Sequence, residues 1–224
     1  MKYTSLVVFF VVVILVTAIA ILSFYTNAPK EDVANGKLRV AATIYPLYDL
    51  TRTVAGDNAD VVLIVPPGAL EHDYEITPKI LSDLSDVQML FAIGHGLDTK
   101  TADAVSALSD ISIITVDRGI ALRESVEEEE GPTDPHYWLH FDNARAMVKT
   151  IADALSERDP SHAAEYLKNA YEFNEQLVRD EEEFRVALTS FRNRSLVVFH
   201  DAWFYFADNM GVDIAGAFEP FVAE

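Results

Sequence analysis

LRVAATIYPLYDLTRTVAGDNADVVLIV, residues 38–65, contains the pattern that decides the fold of this 224-residue chain. The apolar, β-branched run at 38–44 predicts a buried strand, and the spacing from Tyr45 to Ala55 predicts a helix. A Gly-Asp-Asn turn separates this helix from a second apolar run at 60–65, which a Pro-Pro-Gly sequence ends. A strand, a helix and another strand in this order are typical of a parallel sheet with helices on both faces.

The same alternation continues along the chain. Apolar runs predict strands at 88–93 and 112–116, with a helix between them. Thr77 and Pro78 open a further short helix, because threonine is a common N-cap and proline fits the first helical position. We therefore assign residues 38–141 to a first α/β lobe.

Residues 142–193 show two helical patterns, and the second, at 161–191, predicts a rod of about 45 Å that links two lobes. Residues 194–224 predict a strand at 195–199, a helix at 202–209 and a second strand at 212–218. So small a unit buries little apolar surface, and we expect this second lobe to be incomplete. The predicted fold is α/β: two Rossmann-like lobes with parallel sheets, joined by one long helix, the second lobe truncated.

The N-terminal region has a different composition. An apolar run of about 20 residues, from Leu6 to Phe24, is long enough to cross a bilayer and too long for the core of most cleaved signals. We interpret residues 1–25 as a membrane anchor in the form of a transmembrane helix, with a signal as the alternative, and residues 26–37 as a linker. Lys2 is the only charge before the run, which places the remainder outside the cytoplasm.

Composition excludes several classes of partner and site. Lys+Arg 17 against Asp+Glu 36 gives a net charge of −19, so nucleic acid is a poor partner. The absence of cysteine excludes disulfides, thiolate metal sites and lipid attachment through cysteine. An acidic run at 124–131 is interpreted as a solvated loop.

Three histidines stand in loops where predicted strands end or a helix begins: His72, His136 and His200. Ligands of open α/β sheets bind beyond the carboxyl ends of the strands, so the three side chains can meet in a cleft between lobes. Three neutral imidazoles converging on one point would bind a divalent cation, most naturally Zn²⁺. The same arrangement is also found in catalytic zinc sites, so a zinc-dependent hydrolase stays an alternative, although no HExxH helix is present.

The other candidates near the site are weaker. His95 follows a strand but is flanked by glycines, which fits a tight turn equally well. His140 and His162 lie near helix starts and are expected to be solvent-exposed. The acidic residues Asp73, Glu75 and Asp134 are interpreted as caps or as acceptors for imidazole N–H groups. The aromatic residues of the two motifs that contain His136 and His200 are expected in the core, namely Trp138, Trp203, Tyr205 and Phe206.

The chain resembles the solute-binding proteins of zinc and manganese ABC transporters, the zinc-uptake and adhesin-lipoprotein type of cluster A-I. The resemblance is carried by the segments RVAATIYPLYDLTRTVAG, EHDYEITP, GHGLD, DPHYWLHFDNA and HDAWFYFADNMG. It implies that His72, His136 and His200 occupy the first three ligand positions of the family, with an acidic fourth ligand from later in the second lobe. A histidine at the third position implies Zn²⁺, with Mn²⁺ less favoured.

The resemblance also implies a function and a set of partners. It implies a monomeric binding protein, not an enzyme, that captures Zn²⁺ between two lobes outside the cytoplasm and delivers it to an ABC permease. Three features depart from the family pattern. The lipidated cysteine is absent, so the N-terminal helix would replace the lipid. The acidic run replaces a His-rich loop, and His95 and Asp98 stand where Leu and Glu are common.

Overall fold

Four parallel strands form the first sheet of the computed structural model, which describes residues 37–72, 74–107, 111–125, 131–191 and 194–218. The strands are β1 (Leu38–Ala42), β2 (Ala59–Leu63), β3 (Met89–Ala92) and β4 (Ser112–Thr115), in the order β2-β1-β3-β4. All three pairings are parallel, as the sequence predicts. Each strand is shorter than its apolar run, because the last apolar residues already belong to the loops at the carboxyl edge.

Alternation along β1 sends its side chains to two separate cores. Leu38, Val40 and Ala42 pack into a large cluster with α1 (Tyr45–Ala55), while Ala41 faces a smaller cluster on the other side. The second face is covered around α2 (Pro78–Asp83) and α3 (Thr99–Ser106). Helices therefore cover both faces, as two-sided burial of a parallel sheet requires.

Thr77 begins α2 as the sequence predicts. Its hydroxyl accepts a hydrogen bond from the backbone N–H of Ile80 at 3.4 Å, and Pro78 occupies the first turn. The proline loses nothing there, since the first N–H groups of a helix have no partner within the helix. The loop that precedes α2 contains His72.

Two longer helices follow, α4 (Phe141–Arg158) and α5 (Ala163–Leu188). The long helix has 26 residues and therefore spans about 39 Å, less than predicted from 161–191. It starts later because Pro160–His162 forms a separate 3-10 turn, and it ends at Leu188, three residues before the predicted end. Asp159 stabilises this corner, since its carboxylate accepts from the Tyr166 hydroxyl and contacts the His162 ring.

A second, two-stranded parallel sheet follows the long helix. It contains β5 (Ser195–Val198) and β6 (Asp213–Ala217), connected through α6 (Phe204–Met210). The predicted strand–helix–strand order is confirmed, except that Asp201–Trp203 is a 3-10 turn and not part of the helix. Ala207, Met210 and Val212 form a small cluster of their own here.

The predicted anchor at 1–25 and all but the last residue of the linker at 26–37 lie outside the described residues, as do residues 126–130 of the acidic run. Among the helices that the structure describes, none is both long and apolar enough to span a bilayer. The lobe boundaries at 141, 193 and 194 stay predictions.

Candidate metal centre

Three histidine side chains converge at one point. His72 lies in the loop between β2 and α2, His136 precedes the 3-10 turn Tyr137–Leu139, and His200 lies two residues after the end of β5. One ring nitrogen from each lies within 4.8 Å of one ring nitrogen from each of the others. The Nε2 atoms of His136 and His200 are 3.2 Å apart. The structure thus brings together the three histidines predicted from the sequence.

The parallel sheets explain why these loops meet. Hydrogen bonds from Ile64 and Val65 to β1 continue the first sheet past the end of β2, so the chain leaves at the carboxyl edge before His72. His200 leaves the second sheet at its own carboxyl edge, after Val198. Carboxyl edges of parallel sheets are the usual place for ligands, because loops from several strands end there together.

His136 is fixed by Asp134. Its side chain is 2% exposed, and the Asp134 Oδ1 atom accepts from both the backbone N–H at 2.9 Å and the ring Nδ1 at 3.0 Å. Because a carboxylate can only accept, the proton of the neutral ring sits on Nδ1 and the lone pair on Nε2. The Nε2 atom therefore faces His200 as an acceptor or metal ligand, which agrees with the role predicted for Asp134.

His200 is held more loosely. Its side chain is 43% exposed, and its Nδ1 atom lies 3.5 Å from the Asp201 Oδ1 atom, longer than a good hydrogen bond. Asp201 is buried, and within the described part of the chain its Oδ1 atom has no hydrogen-bond partner. A modest movement of the imidazole would give this oxygen a donor.

Tyr205 has a polar role that the sequence did not predict. It is buried as expected, but its hydroxyl donates to the Asp134 carbonyl at 3.1 Å and accepts from the Arg123 N–H at 2.8 Å. Burial raises the pKa of this phenol, so the hydroxyl keeps its proton at neutral pH. The partners lie 71 and 82 residues away, so no local pattern could have revealed the contacts. Trp203, also predicted in the core, is instead 40% exposed.

The other histidines have separate partners. His95 has a positive φ of 55° in the turn after β3, and its Nε2 atom lies 2.9 Å from the Asp117 carboxylate. His140 accepts from the Asp142 N–H as the N-cap of α4, and His162 contacts Asp159. Both residues were expected to be solvent-exposed and are instead only partly exposed, His140 through its cap to α4 and His162 through its contact with Asp159.

Asp98 shapes the turn that contains His95. It is buried and accepts hydrogen bonds from the Thr43 hydroxyl and from the N–H groups of Ile93 and Gly94. These contacts supply three hydrogen-bond donors to the Asp98 carboxylate, which therefore needs no metal as a partner. The role of Asp98 is therefore structural here.

The histidine cluster suits a small divalent cation. In a tetrahedral zinc site with Zn–N bonds of about 2.0–2.1 Å, ligand nitrogens lie roughly 3.4 Å apart. The Nε2 atoms of His136 and His200 are near that separation at 3.2 Å, and all three ligand nitrogens lie within 4.8 Å of one another. Imidazole is a borderline ligand that favours zinc over manganese.

The known proteins that this chain resembles are also metal-binding proteins. A family model described as the periplasmic zinc-uptake complex component A, ZnuA, matches residues 40–223. The manganese-binding lipoprotein MntA of Halalkalibacterium halodurans is 32% identical over 184 residues, covering 81% of this chain and 61% of that protein. The manganese ABC transporter substrate-binding lipoprotein PsaA of Streptococcus mitis is 31% identical, covering 97% of this chain and 72% of that protein.

Solved structures share the fold. The Zn(II)-bound AdcA of Streptococcus pneumoniae superimposes with a TM-score of 0.73 at 27% identity, covering 83% of this chain and 40% of that chain. The chain thus spans 61% of the first curated relative and less than half of this structural neighbour. The relatives are named for zinc in some cases and for manganese in others.

Proposed function

Because this chain belongs to the ZnuA family of metal ABC transporter solute-binding proteins, we propose that it captures a divalent metal ion outside the cytoplasm and delivers it to an ABC permease. His72, His136 and His200 are the proposed ligands. The ion is cargo, so the site must bind it tightly enough to capture it and still release it to the permease.

The observation that carries this proposal is the convergence of three imidazoles from three separate loops. Their ligand atoms lie within 4.8 Å of one another, and His136 is buried with its Nδ1 atom engaged by a carboxylate. Orientation of this kind is the usual support for a metal-binding histidine. A chance cluster would not be expected to bring one ring nitrogen from each of three separate loops to one point.

Zinc is the proposed cargo in preference to manganese. Relatives named for both metals leave this choice to the donor set. Three imidazoles suit Zn²⁺, whereas Mn²⁺ favours carboxylate and water oxygen. His200 is the residue on which the preference depends, since a carboxylate in its place would supply a hard ligand.

The family assignment favours transport over zinc-dependent hydrolysis, which three histidines alone would also allow. Delivery to a permease and action as a monomer are taken from the same assignment. The apolar run at 6–24 is the proposed membrane attachment, in place of the lipid that the names of the relatives indicate.

Competition titration of the full chain with Zn²⁺ and Mn²⁺ tests the proposal. We expect one zinc ion per chain, a higher affinity for zinc than for manganese, and loss of zinc binding in His136→Ala. His140→Ala is the matched control, because His140 lies in the same segment but caps a helix. Zinc binding that survives His136→Ala, or falls equally in His140→Ala, would refute the ligand assignment.

A further inference from the structure

We propose that Tyr205 is a positioning residue of the metal site. Its hydroxyl couples α6, the helix that follows His200, to the loop that contains His136. The inference rests on the proposed function, because it concerns how the same cluster is held at ligand distance. It assigns Tyr205 no contact with the metal.

Two sets of hydrogen bonds that meet at Asp134 support this role, one at its backbone carbonyl and one at its carboxylate. Tyr205 lies in α6, five residues after His200, and its hydroxyl donates to the Asp134 carbonyl at 3.1 Å. The carboxylate of the same Asp134 holds the N–H and the Nδ1 atom of His136. The hydroxyl also accepts from the Arg123 N–H at 2.8 Å, so both of its hydrogen-bonding functions are used within the protein.

The location of Tyr205 makes this contact important. Its ring packs into the large core of the first sheet, whereas Ala207 and Met210 of the same helix belong to the small cluster of the second sheet. Tyr205 lies near the start of α6, the end closer to His200. At this end it links the large core cluster of the first sheet to the small cluster of the second sheet.

The far end of α6 is attached differently. Asn209 accepts from the Phe141 N–H at 3.2 Å and donates to Glu181 at 3.1 Å, and neither partner bears a histidine of the cluster. Loss of Asn209 should loosen the helix without releasing Asp134. The two ends of one helix thus offer a comparison between a contact that reaches the site and one that does not.

Two phenylalanine variants test the proposal on the full chain. Tyr205→Phe removes the hydroxyl and keeps the ring. Tyr166→Phe is its matched control, because Tyr166 is equally buried and donates to Asp159 at 2.9 Å, outside the histidine cluster. Tyr205→Phe loses two hydrogen bonds and Tyr166→Phe loses one, so both should lower the thermal midpoint, Tyr205→Phe by more.

Only Tyr205→Phe should change the metal site. We expect zinc affinity to fall about tenfold, as for partners that orient metal ligands. The visible absorption spectrum of the Co²⁺-loaded protein should also change, because Co²⁺ reports ligand geometry. Tyr166→Phe should leave both unchanged. Unaltered affinity and spectrum in Tyr205→Phe, or equal losses in both variants, would overturn the proposal.

A second measurement covers the case in which Tyr205→Phe does not fold. With 3-fluorotyrosine at position 205, the ¹⁹F resonance should shift when Zn²⁺ is added, and His136→Ala should abolish the shift. A resonance that does not respond to zinc overturns the coupling. A wild-type chain that binds neither Zn²⁺ nor Co²⁺ refutes the proposed function as well, whereas normal binding in every tyrosine variant refutes only the positioning role.

Discussion

The two parallel sheets differ in how completely they are buried. In the first, Val40, Leu90 and Phe91 have no exposed surface, and helices cover both faces. In the second, Val197 is 58% exposed, and Phe199, which directly follows β5, is 75% exposed, although both are apolar. The first sheet therefore contains most of the hydrophobic stabilisation, which scales with the apolar area removed from water.

The proposed site draws on both sheets. His72 and His136 belong to the loops of the well-buried part, while His200 extends from the poorly buried one. Polar contacts of α6, through Tyr205 and Asn209, bridge the two parts in addition to packing. Stability and ligand geometry thus depend on different residues, and substitutions should separate the two quantities.

The largest expected effect compares Phe91 of the first sheet with Phe199, which directly follows β5 of the second. Phe91→Ala creates a cavity in the buried centre of β3 and should lower the free energy of unfolding by about 3–5 kcal/mol. Phe199→Ala removes a side chain that is 75% exposed and should change it by no more than about 0.5 kcal/mol. Urea denaturation measures both, and equal losses would show that the second sheet is as well packed as the first.

The next effect concerns the two aspartates beside the histidines. Asp134→Asn weakens the acceptor that holds His136 and should reduce zinc affinity between about 10- and 100-fold. Asp201→Asn should reduce it less, because Asp201 lies 3.5 Å from His200 and makes no good hydrogen bond to it. Chelator competition gives both affinities, with circular dichroism as the control for folding. A larger loss in Asp201→Asn would contradict the asymmetry.

The contact between Glu181 and Asn209 of α6 can be tested through the pH dependence of stability. Burial would raise the pKa of its carboxyl, but hydrogen bonds from Arg185, Arg145 and Asn209 outweigh this and lower the pKa to about 2. An unfolded glutamate has a pKa of about 4.3, so the stabilisation is full above that pH and is lost as the pH falls toward 2. Glu181→Gln should cost about 1–3 kcal/mol at pH 7.

The pH dependence identifies the cause of that loss. The difference between wild type and Glu181→Gln, measured by urea denaturation, should shrink steadily as the pH is lowered from 5 to 3. Glu172→Gln is the control, because Glu172 pairs with Lys168 on an exposed surface, where such pairs contribute little. If the stability difference between wild type and Glu181→Gln does not change with pH, the charge of the Glu181 carboxylate is not the cause of the loss.

The strands and helices were predictable because their signals are local. Apolar runs, the Thr77-Pro78 start and the Gly-containing turns each act over a few residues, and all six strands occur where the runs predict them. The ends were less accurate. The last apolar residues of a run, such as Ile64 and Val65, pair with the sheet but already belong to the loop.

The histidine cluster was predictable for a topological reason, and its supports were not. Strands of a parallel sheet end at a common edge, so residues that follow them can be expected to meet. Asp134 could be predicted as a partner of His136 because it lies only two residues away. Tyr205 finds its partners 71 and 82 residues away and Glu181 finds Asn209 28 residues away, and only the packed structure shows that these groups face each other.

The smallest expected effect concerns metal preference at the more exposed ligand. His200→Glu replaces a borderline imidazole by a hard carboxylate, and should lower the preference for Zn²⁺ over Mn²⁺ by about tenfold, which corresponds to about 1.4 kcal/mol. Because the His200 side chain is 43% exposed, the fold should tolerate the change, and the thermal midpoint should stay near that of wild type. His200→Ala separates loss of a ligand from a change of ligand, since it should weaken both metals. Competition titrations with the two ions would measure the ratio. An unchanged Zn/Mn ratio in a natively folded His200→Glu protein would remove His200 from the site, and the preference for zinc would lose its main support.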